Sequence, residues 1–283
     1  MDRTIMKASF VILGLLMIAL LLFLSLKMAV KNEREKQVKE LFKGVQPYPI
    51  CCIEEREIED LPVVVLRYFN FLQLVGNEVS YSARIKQKGI FSRYPETAAK
   101  EFEAEQYFRG DTPAFLWRAK FGSLLKVTDN YNRGEAEMEA KMLGLLTVAK
   151  AEDEKLNQGA LARYFSEMIW FPSAYLYNDI EWQATGINTF TGKISHNNAT
   201  VLGLFEIDKK GALLRFSTNR YMEVDGVYQL EKWRIEASDY REVHGFKIPF
   251  RGRAIWNLDD GDYEYINLEI QEVQYNTETP FSG

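Results

Sequence analysis

The sequence predicts a mainly β domain of the α+β class, an antiparallel curved sheet or half-open barrel with one crossing helix, preceded by an N-terminal transmembrane helix. Three observations carry this. Residues 8–26 read ASFVILGLLMIALLLFLSL, without a charge, between Lys7 and Lys27. Between residues 79 and 275, apolar positions recur with a period of two in short runs broken by Gly, Pro, Asn and Asp. Residues 158–171, QGALARYFSEMIWF, carry the clearest helical period in the chain.

The apolar run is long enough to cross a bilayer as a helix, at about 1.5 Å per residue against roughly 30 Å of hydrocarbon. A cleaved signal peptide is the competing reading. Its apolar core would be shorter, about 7–15 residues, and a small-x-small site would follow. Here Met28-Ala29 offers only a poor site, and the first cysteine is Cys51. The expectation is therefore an uncleaved anchor over residues 1–30. Its orientation is contested by its flanks. Arg3 and Lys7 precede the run, whereas Lys27, Lys31, Arg34, Lys36 and Lys39 follow it, which favours a cytoplasmic C-terminal side.

Residues 31–60 read as a charged stalk and linker. Residues 31–43 favour helix, with Val38, Leu41 and Phe42 apolar, and Pro47 and Pro49 end it. The acidic stretch 54–60 is a solvated turn or a first helical turn. Residues 61–283 form one β-rich domain. It opens with LPVVVLRYFNFLQLVG, which we read as a helix because Pro62 starts it and Gly76 closes it, although its β-branched run resembles a strand.

From there the alternation takes over. Val79, Tyr81, Ala83 and Ile85 alternate with polar residues, as do Phe102, Ala104, Gln106 and Phe108. Phe115, Trp117, Ala119 and Phe121 follow, then Ala136, Met138, Ala140 and Met142. After the helix, strands are expected over 180–184, 200–207, 213–221, 228–237, 250–256 and 263–275, with turns at Lys210-Gly211, Asp225-Gly226 and Asp260-Gly261. On the 158–171 helix, Leu161, Tyr164, Phe165, Met168 and Ile169 share one side. Arg163, Glu167 and Trp170 share the other.

Composition excludes several classes. A net charge of −5 without a basic patch argues against a nucleic-acid partner. Cys51 and Cys52 are adjacent, about 3.8 Å apart at Cα, so free thiols are expected and a vicinal disulfide is the strained alternative. With only His196 and His244 besides, both in turn-like contexts, no metal set or nucleophilic triad is indicated. GxSxG, HExxH, P-loop and GxGxxG patterns are all absent.

Two constellations remain. Asp129, Glu167, Glu181 and Glu206 are the carboxylates that acid–base chemistry would use. Arg163 before Glu167 at i, i+4 is the weaker order for helix stability, worth a few tenths of a kcal/mol at best. The pair therefore either ties the helix to the sheet or belongs to a site. Trp117, Trp170, Trp182, Trp233 and Trp256 read either as core or as the wall of an apolar cavity, with Met138, Met142, Met168 and Met222 as a deformable lining.

Several segments together resemble the DUF6544 and DUF6920 kind of uncharacterised bacterial membrane-anchored family. They are RYFSEMIWFP from Arg163 to Pro172, Glu105-Gln106-Tyr107-Phe108, Pro113-x-Phe115-x-Trp117, Asp129-x-Tyr131-x-x-Gly134, and Gly245-x-x-Ile248-Pro249 after Asp239-Tyr240. The resemblance spans roughly residues 60–275 and implies no activity. The closing segment, DYREVHGFKIPF, is similar at fold level to lipoprotein-carrier (LolA/LolB-like) half-barrels, which implies an apolar cavity and an extracytoplasmic domain.

The function expected is non-catalytic: binding or handling an apolar ligand, a lipid among them, at a cell membrane. Candidate ligand-binding residues are Trp117, Asp129, Arg163, Glu167, Trp170, Trp182 and Trp233. No catalytic residue, metal ligand or cofactor is assigned, and the partners are the lipid bilayer and the apolar ligand. A carboxylate enzyme using Glu167 and a structural component of an envelope complex are the alternatives. Oligomeric state is not encoded legibly.

Overall fold

A computed structural model describes residues 3–45, 52–224 and 226–281, with side chains from Ile12 onward. Pro47, Pro49, Cys51 and Asp225, which enter the sequence reading above, lie outside the described residues.

The chain divides into two compact units, residues 1–40 with 279–283, and residues 41–278. The first is built on α1, Arg3–Leu41, in which the apolar run and the charged stalk form one continuous helix. From Ile12 it is long and apolar enough to cross a membrane, with a mean hydropathy of 2.5 and nothing buried in that window. Within this unit Arg34 donates to the Phe281 carbonyl.

The second unit begins with a 3-10 turn at Glu55–Glu57 and α2, Val63–Phe71. The helix stops earlier than Gly76 because Gln73 turns into the left-handed region at φ 60°, letting Leu74 fold back into the core. The sheet follows: β1 Ser82–Phe91, β2 Lys100–Arg109, β3 Ala114–Phe121, β4 Leu125–Asn132, β5 Glu135–Met142 and β6 Leu146–Ala151. Then come α3 Glu154–Glu167, a 3-10 turn at Met168–Trp170 and α4 Ala174–Tyr177. The rest is β7 Ile180–Ala184, β8 Thr189–His196, β9 Ala199–Ile207, β10 Leu213–Val224, β11 Val227–Val243, β12 Phe246–Leu258 and β13 Gly261–Tyr275.

All thirteen strands belong to one antiparallel sheet, ordered β6-β5-β4-β3-β2-β1-β13-β12-β11-β10-β9-β8-β7. The chain enters at the middle, zigzags out to one edge at β6, and resumes at the opposite edge with β7. It then zigzags back until β13 pairs with β1. This order dictates the helix. The segment from β6 to β7 must travel edge to edge, and the apolar side of the sheet is where an amphipathic segment buries its own apolar face. Residues 152–179 make that crossing as α3, the 3-10 turn and α4.

Each strand pair adds about 20–25° of twist, so thirteen strands cannot stay flat. The sheet curls into a half-barrel. The turn after β4 meets the turn after β8, where the Asn197 side-chain amide donates to the Arg133 carbonyl at 2.6 Å. The Tyr131 hydroxyl lies 2.9 Å from His196 Nδ1 beside it. Gly134 has φ 83° in this junction, and a Cβ there would sit 1.9 Å from Asn197 Nδ2. His196 is thus half-buried at a strand end rather than solvated in a turn. Burial holds its imidazole below the ordinary pKa.

α3 is capped by Asp153, whose carboxylate accepts from the Lys155 amide at 2.7 Å. The helix thus starts at Glu154, four residues ahead of the apolar pattern at 158. It is the cross-member of the trough. Asn157 accepts from the Ala136 amide on β5 at 2.7 Å, and Gln158 donates to the Asn219 carbonyl on β10 at 2.9 Å. On the β8–β9 side, Gly192 and Gly203 oppose each other across the strands. A Cβ on Gly192 would lie 2.8 Å from Phe165 Cζ, and one on Gly203 2.2 Å from Phe216 Cε2. Gly203→Ala is therefore expected to overpack this wall and lower stability by about 1–3 kcal/mol, read from the denaturant midpoint.

Three strands go beyond the sequence reading: β4, β6 and β8. β4 carries Asp129, Asn130 and Asn132, residues that local propensity counts against strands. β6 is an edge strand almost wholly exposed, without an alternating buried face to reveal it. A β-bulge at Ala140/Lys141 and the charge of Lys150 blunt that edge. β8 is interrupted by Gly192, which serves packing rather than turning.

Candidate functional site

Four of the expected site residues converge on the concave face. Arg163 reaches from α3 to β4, its Nη1 donating to Asp129 Oδ2 at 2.6 Å, while its Nε donates to Glu167 Oε1 at 3.0 Å. Glu167 Oε2 accepts from Gln106 Nε2 on β2 at 2.6 Å. Gln106 Oε1 accepts from Gln87 Nε2 on β1 at 2.8 Å, and Gln87 Oε1 accepts from Trp117 Nε1 on β3 at 3.0 Å. One chain of donors and acceptors thus runs from helix α3 over β4, β2, β1 and β3.

Every member of that chain is buried or nearly so. The guanidinium also lies over two rings of β3, 4.9 Å from the Phe115 ring centre and 5.0 Å from that of Trp117. Burial works to lower the Arg163 pKa, but the Glu167 and Asp129 charges outweigh it and hold it above the ordinary value. Burial pushes the Glu167 carboxyl upward, and Arg163 and Gln106 only partly draw it back.

The sign of that shift predicts a pH dependence. With the folded pKa raised above 4.5, folding favours the protonated carboxyl. The associated stability is present at and below the unfolded value and is lost as pH rises through the folded one. Glu167→Gln carries no such proton. The stability of the wild type relative to Glu167→Gln should therefore be greatest near pH 4.5 and decline above it, measured by urea unfolding across a pH series.

The other expected residues lie apart. Trp170 sits on the 3-10 turn, which rotates it off the Arg163 face, and its Nε1 donates to the Pro249 carbonyl on β12 at 3.1 Å. Trp182 packs edge-on to Phe205 at 5.5 Å and Phe190 at 5.6 Å on the far wall. Trp233 donates to the Tyr265 hydroxyl at 3.1 Å beneath Arg220, whose guanidinium lies 4.8 Å from its ring. Arg220 also bonds the Gly159 carbonyl of α3 at 3.0 Å, a second tie between helix and sheet. Of the four carboxylates, only Asp129 and Glu167 meet. Glu181 pairs with Lys193, and Glu206 with Arg215.

Under α3 the trough is filled. Phe165, Trp182, Phe190, Phe205 and Phe216 contact one another at ring separations of 4.8–6.2 Å. Beyond the helix it is not. Cross-strand register puts Met138 opposite Asp129, and Met142 opposite both Leu125 and Leu146, so these side chains share the concave face. Met138 is 39% exposed, Met142 40% and Leu146 67%. They form an apolar, concave-facing strip on β4–β6, bounded at its inner end by the Arg163 network. Leu125 and Leu146 were missed from sequence because their strand partners were not assigned. The signal was in the methionines. The opposite, convex face carries a depression of about 850 Å³ lined largely by charges, including Lys88, Glu103, Lys120, Arg251 and Glu269.

A model of a family of unknown function, DUF6544, matches residues 52–268. The chain belongs to the DUF6544 family. That span takes in the whole Arg163 network and the exposed strip, so both lie inside the family's domain. No curated protein matches significantly. Solved structures similar to this DUF6544 chain include a LolA-superfamily protein from Nitrosomonas europaea, at 10% identity and a TM-score of 0.41, covering 76% of this chain and 92% of that one. Another is an outer-membrane lipoprotein-sorting protein domain from Vibrio parahaemolyticus, at 7% identity and 0.38, covering 71% and 87%. A DUF1329-family protein from Desulfovibrio piger matches at 10% and 0.42, covering 75% and 90%. At such identities and scores, none transfers a ligand or an activity to the DUF6544 chain.

Proposed function

We propose that this DUF6544 protein is held in a cell membrane by α1, uncleaved, and that its β domain, on the extracytoplasmic side, binds an apolar ligand of the lipid class without catalysing its conversion. The observation that carries this is the strip of Leu125, Met138, Met142 and Leu146. Its members face the trough, as core residues do, yet water reaches several of them. Apolar side chains on a concave face with nothing packed on them are what a ligand groove requires, and thioether side chains adapt to an acyl chain's shape. Trp117, Asp129, Arg163 and Glu167 then close the inner end of the groove. Trp170, Trp182 and Trp233 brace the filled part behind it.

The test is native mass spectrometry of residues 41–283, purified without detergent, together with binding of a fluorescent fatty-acid probe. A co-purifying lipid, or probe binding, is expected. Met138→Lys with Met142→Lys should weaken probe binding at least about ten-fold while changing stability by no more than about 0.5 kcal/mol, because both sites are half-exposed. A domain that carries no lipid and binds no probe would exclude the reading.

A further inference from the structure

We propose that the turns after β3 and after β5 form a lip that docks the β domain onto an anionic lipid surface. The inference rests on the membrane-anchored reading of α1, but not on ligand binding in the groove. The two turns are neighbours, joined by the Leu143 amide donating to the Leu124 carbonyl at 2.6 Å. They expose Leu124 at 56%, Leu143 at 58% and Leu145 at 49%.

Folding does not account for these leucines. The β5–β6 turn has Leu143 at φ 54° and Gly144 at φ 72°. Two successive left-handed residues make the tight hairpin turn that favours Asn-Gly, because a larger side chain is strained there. Leucine at the first of these positions gains no packing in return, since it points into water. A lipid interface would provide what the fold does not.

Charge points to the same partner. On the convex face, cross-strand neighbours alternate in sign along Arg251, Glu269, Lys88, Glu103 and Lys120. At the lip the alternation stops, and Lys120, Lys126 and Lys141 stand directly opposite one another on β3, β4 and β5. Beside the row, Glu139 pairs with Lys141 at 2.9 Å. Lys126 lies over the lip itself, its Nζ 3.0 Å from where a Cβ on Gly144 would be. Apolar tips backed by a lysine row match a bilayer surface of negative headgroups, leucines entering the acyl boundary and ammonium groups at the phosphates. The apolar helix in the same chain keeps such a surface within reach.

The test uses the full chain with Cys51→Ser and Cys52→Ser, labelled with an environment-sensitive nitrobenzoxadiazole probe at Leu143→Cys, in nanodiscs of phosphatidylglycerol or of phosphatidylcholine alone. A blue shift, quenched by lipid-borne depth quenchers and confined to the anionic discs, is expected, while the same probe at Ser195→Cys stays water-exposed. Each of Lys120→Gln, Lys126→Gln and Lys141→Gln should lower the docked fraction about five-fold at low salt. A probe at 143 that stays in water in both discs overturns the proposal. So does a blue shift that lipid quenchers leave untouched, because the lip is then covered by protein. Co-elution with the discs reports separately on α1, and a chain that elutes apart from them refutes the anchored reading and the docking with it.

Discussion

Replacing Arg163 with methionine is expected to cost about 3–5 kcal/mol of folding stability, the range for breaking a buried ion pair by removing one partner. The loss comes from what stays behind. Asp129 and Glu167 would both remain on the concave face without their shared cation, and Glu167 already sits where burial disfavours its charge. The cation's contact with the Phe115 and Trp117 rings goes too. Neutralising the carboxylates should restore much of the loss. Arg163→Met combined with Asp129→Asn and Glu167→Gln should be markedly more stable than Arg163→Met alone, a coupling that denaturant midpoints of the four combinations would resolve. If Arg163→Met costs under about 1 kcal/mol, the network is solvated in solution and the helix is held by packing alone.

Phe205→Ala is expected to lose about 3–5 kcal/mol as well, through cavity formation. Phe205 is fully buried on β9 and touches six rings. It stacks on Phe190 at 4.8 Å, meets Phe216 at 5.0 Å, Phe165 at 5.4 Å and Trp182 at 5.5 Å, and lies within 6.4 Å of Tyr68 and Tyr175. Those partners come from α2, α3, α4, β7, β8 and β10, so the surroundings cannot collapse around the void without moving several elements at once. Phe205→Leu, which keeps most of the volume, should lose distinctly less. The contrast with Met142 separates the two parts of the trough. A filled wall answers truncation with lost stability, whereas a change at Met142, 40% exposed, should cost little stability.

Much of this was legible in the chain. Alternation located ten of the strands because their two faces see different surroundings, and helical periodicity located the crossing helix, although α3 ends at Glu167, five residues before Pro172. Arg163 and Glu167 stood out because their order is poor for an isolated helix, which left a tie to the sheet or a place in a site as the readings. Gln87 did not stand out, and Gln106, placed with Phe102, Ala104 and Phe108 on one face of its strand, had no partner assigned. A glutamine's role stays hidden until its bonds to Trp117 and Glu167 are seen. Trp170 was grouped with Arg163 by assuming a regular helix to the end, but the last turn tightens to 3-10 geometry and swings it to β12.

By itself the sequence determined the class of the fold, the apolar N-terminal helix, and the residue types available to a site, because these depend on local periodicity and run length. Only the tertiary structure decided which strands are edges, and hence that the chain must cross the sheet from β6 to β7. It also decided that Trp182 packs into a filled wall while Met138, Met142 and Leu146 are left exposed. The reason is physical: burial is a property of what packs on a face, and α3, although it follows β6 directly, packs chiefly on β9 and β10 and leaves Met138, Met142 and Leu146 uncovered.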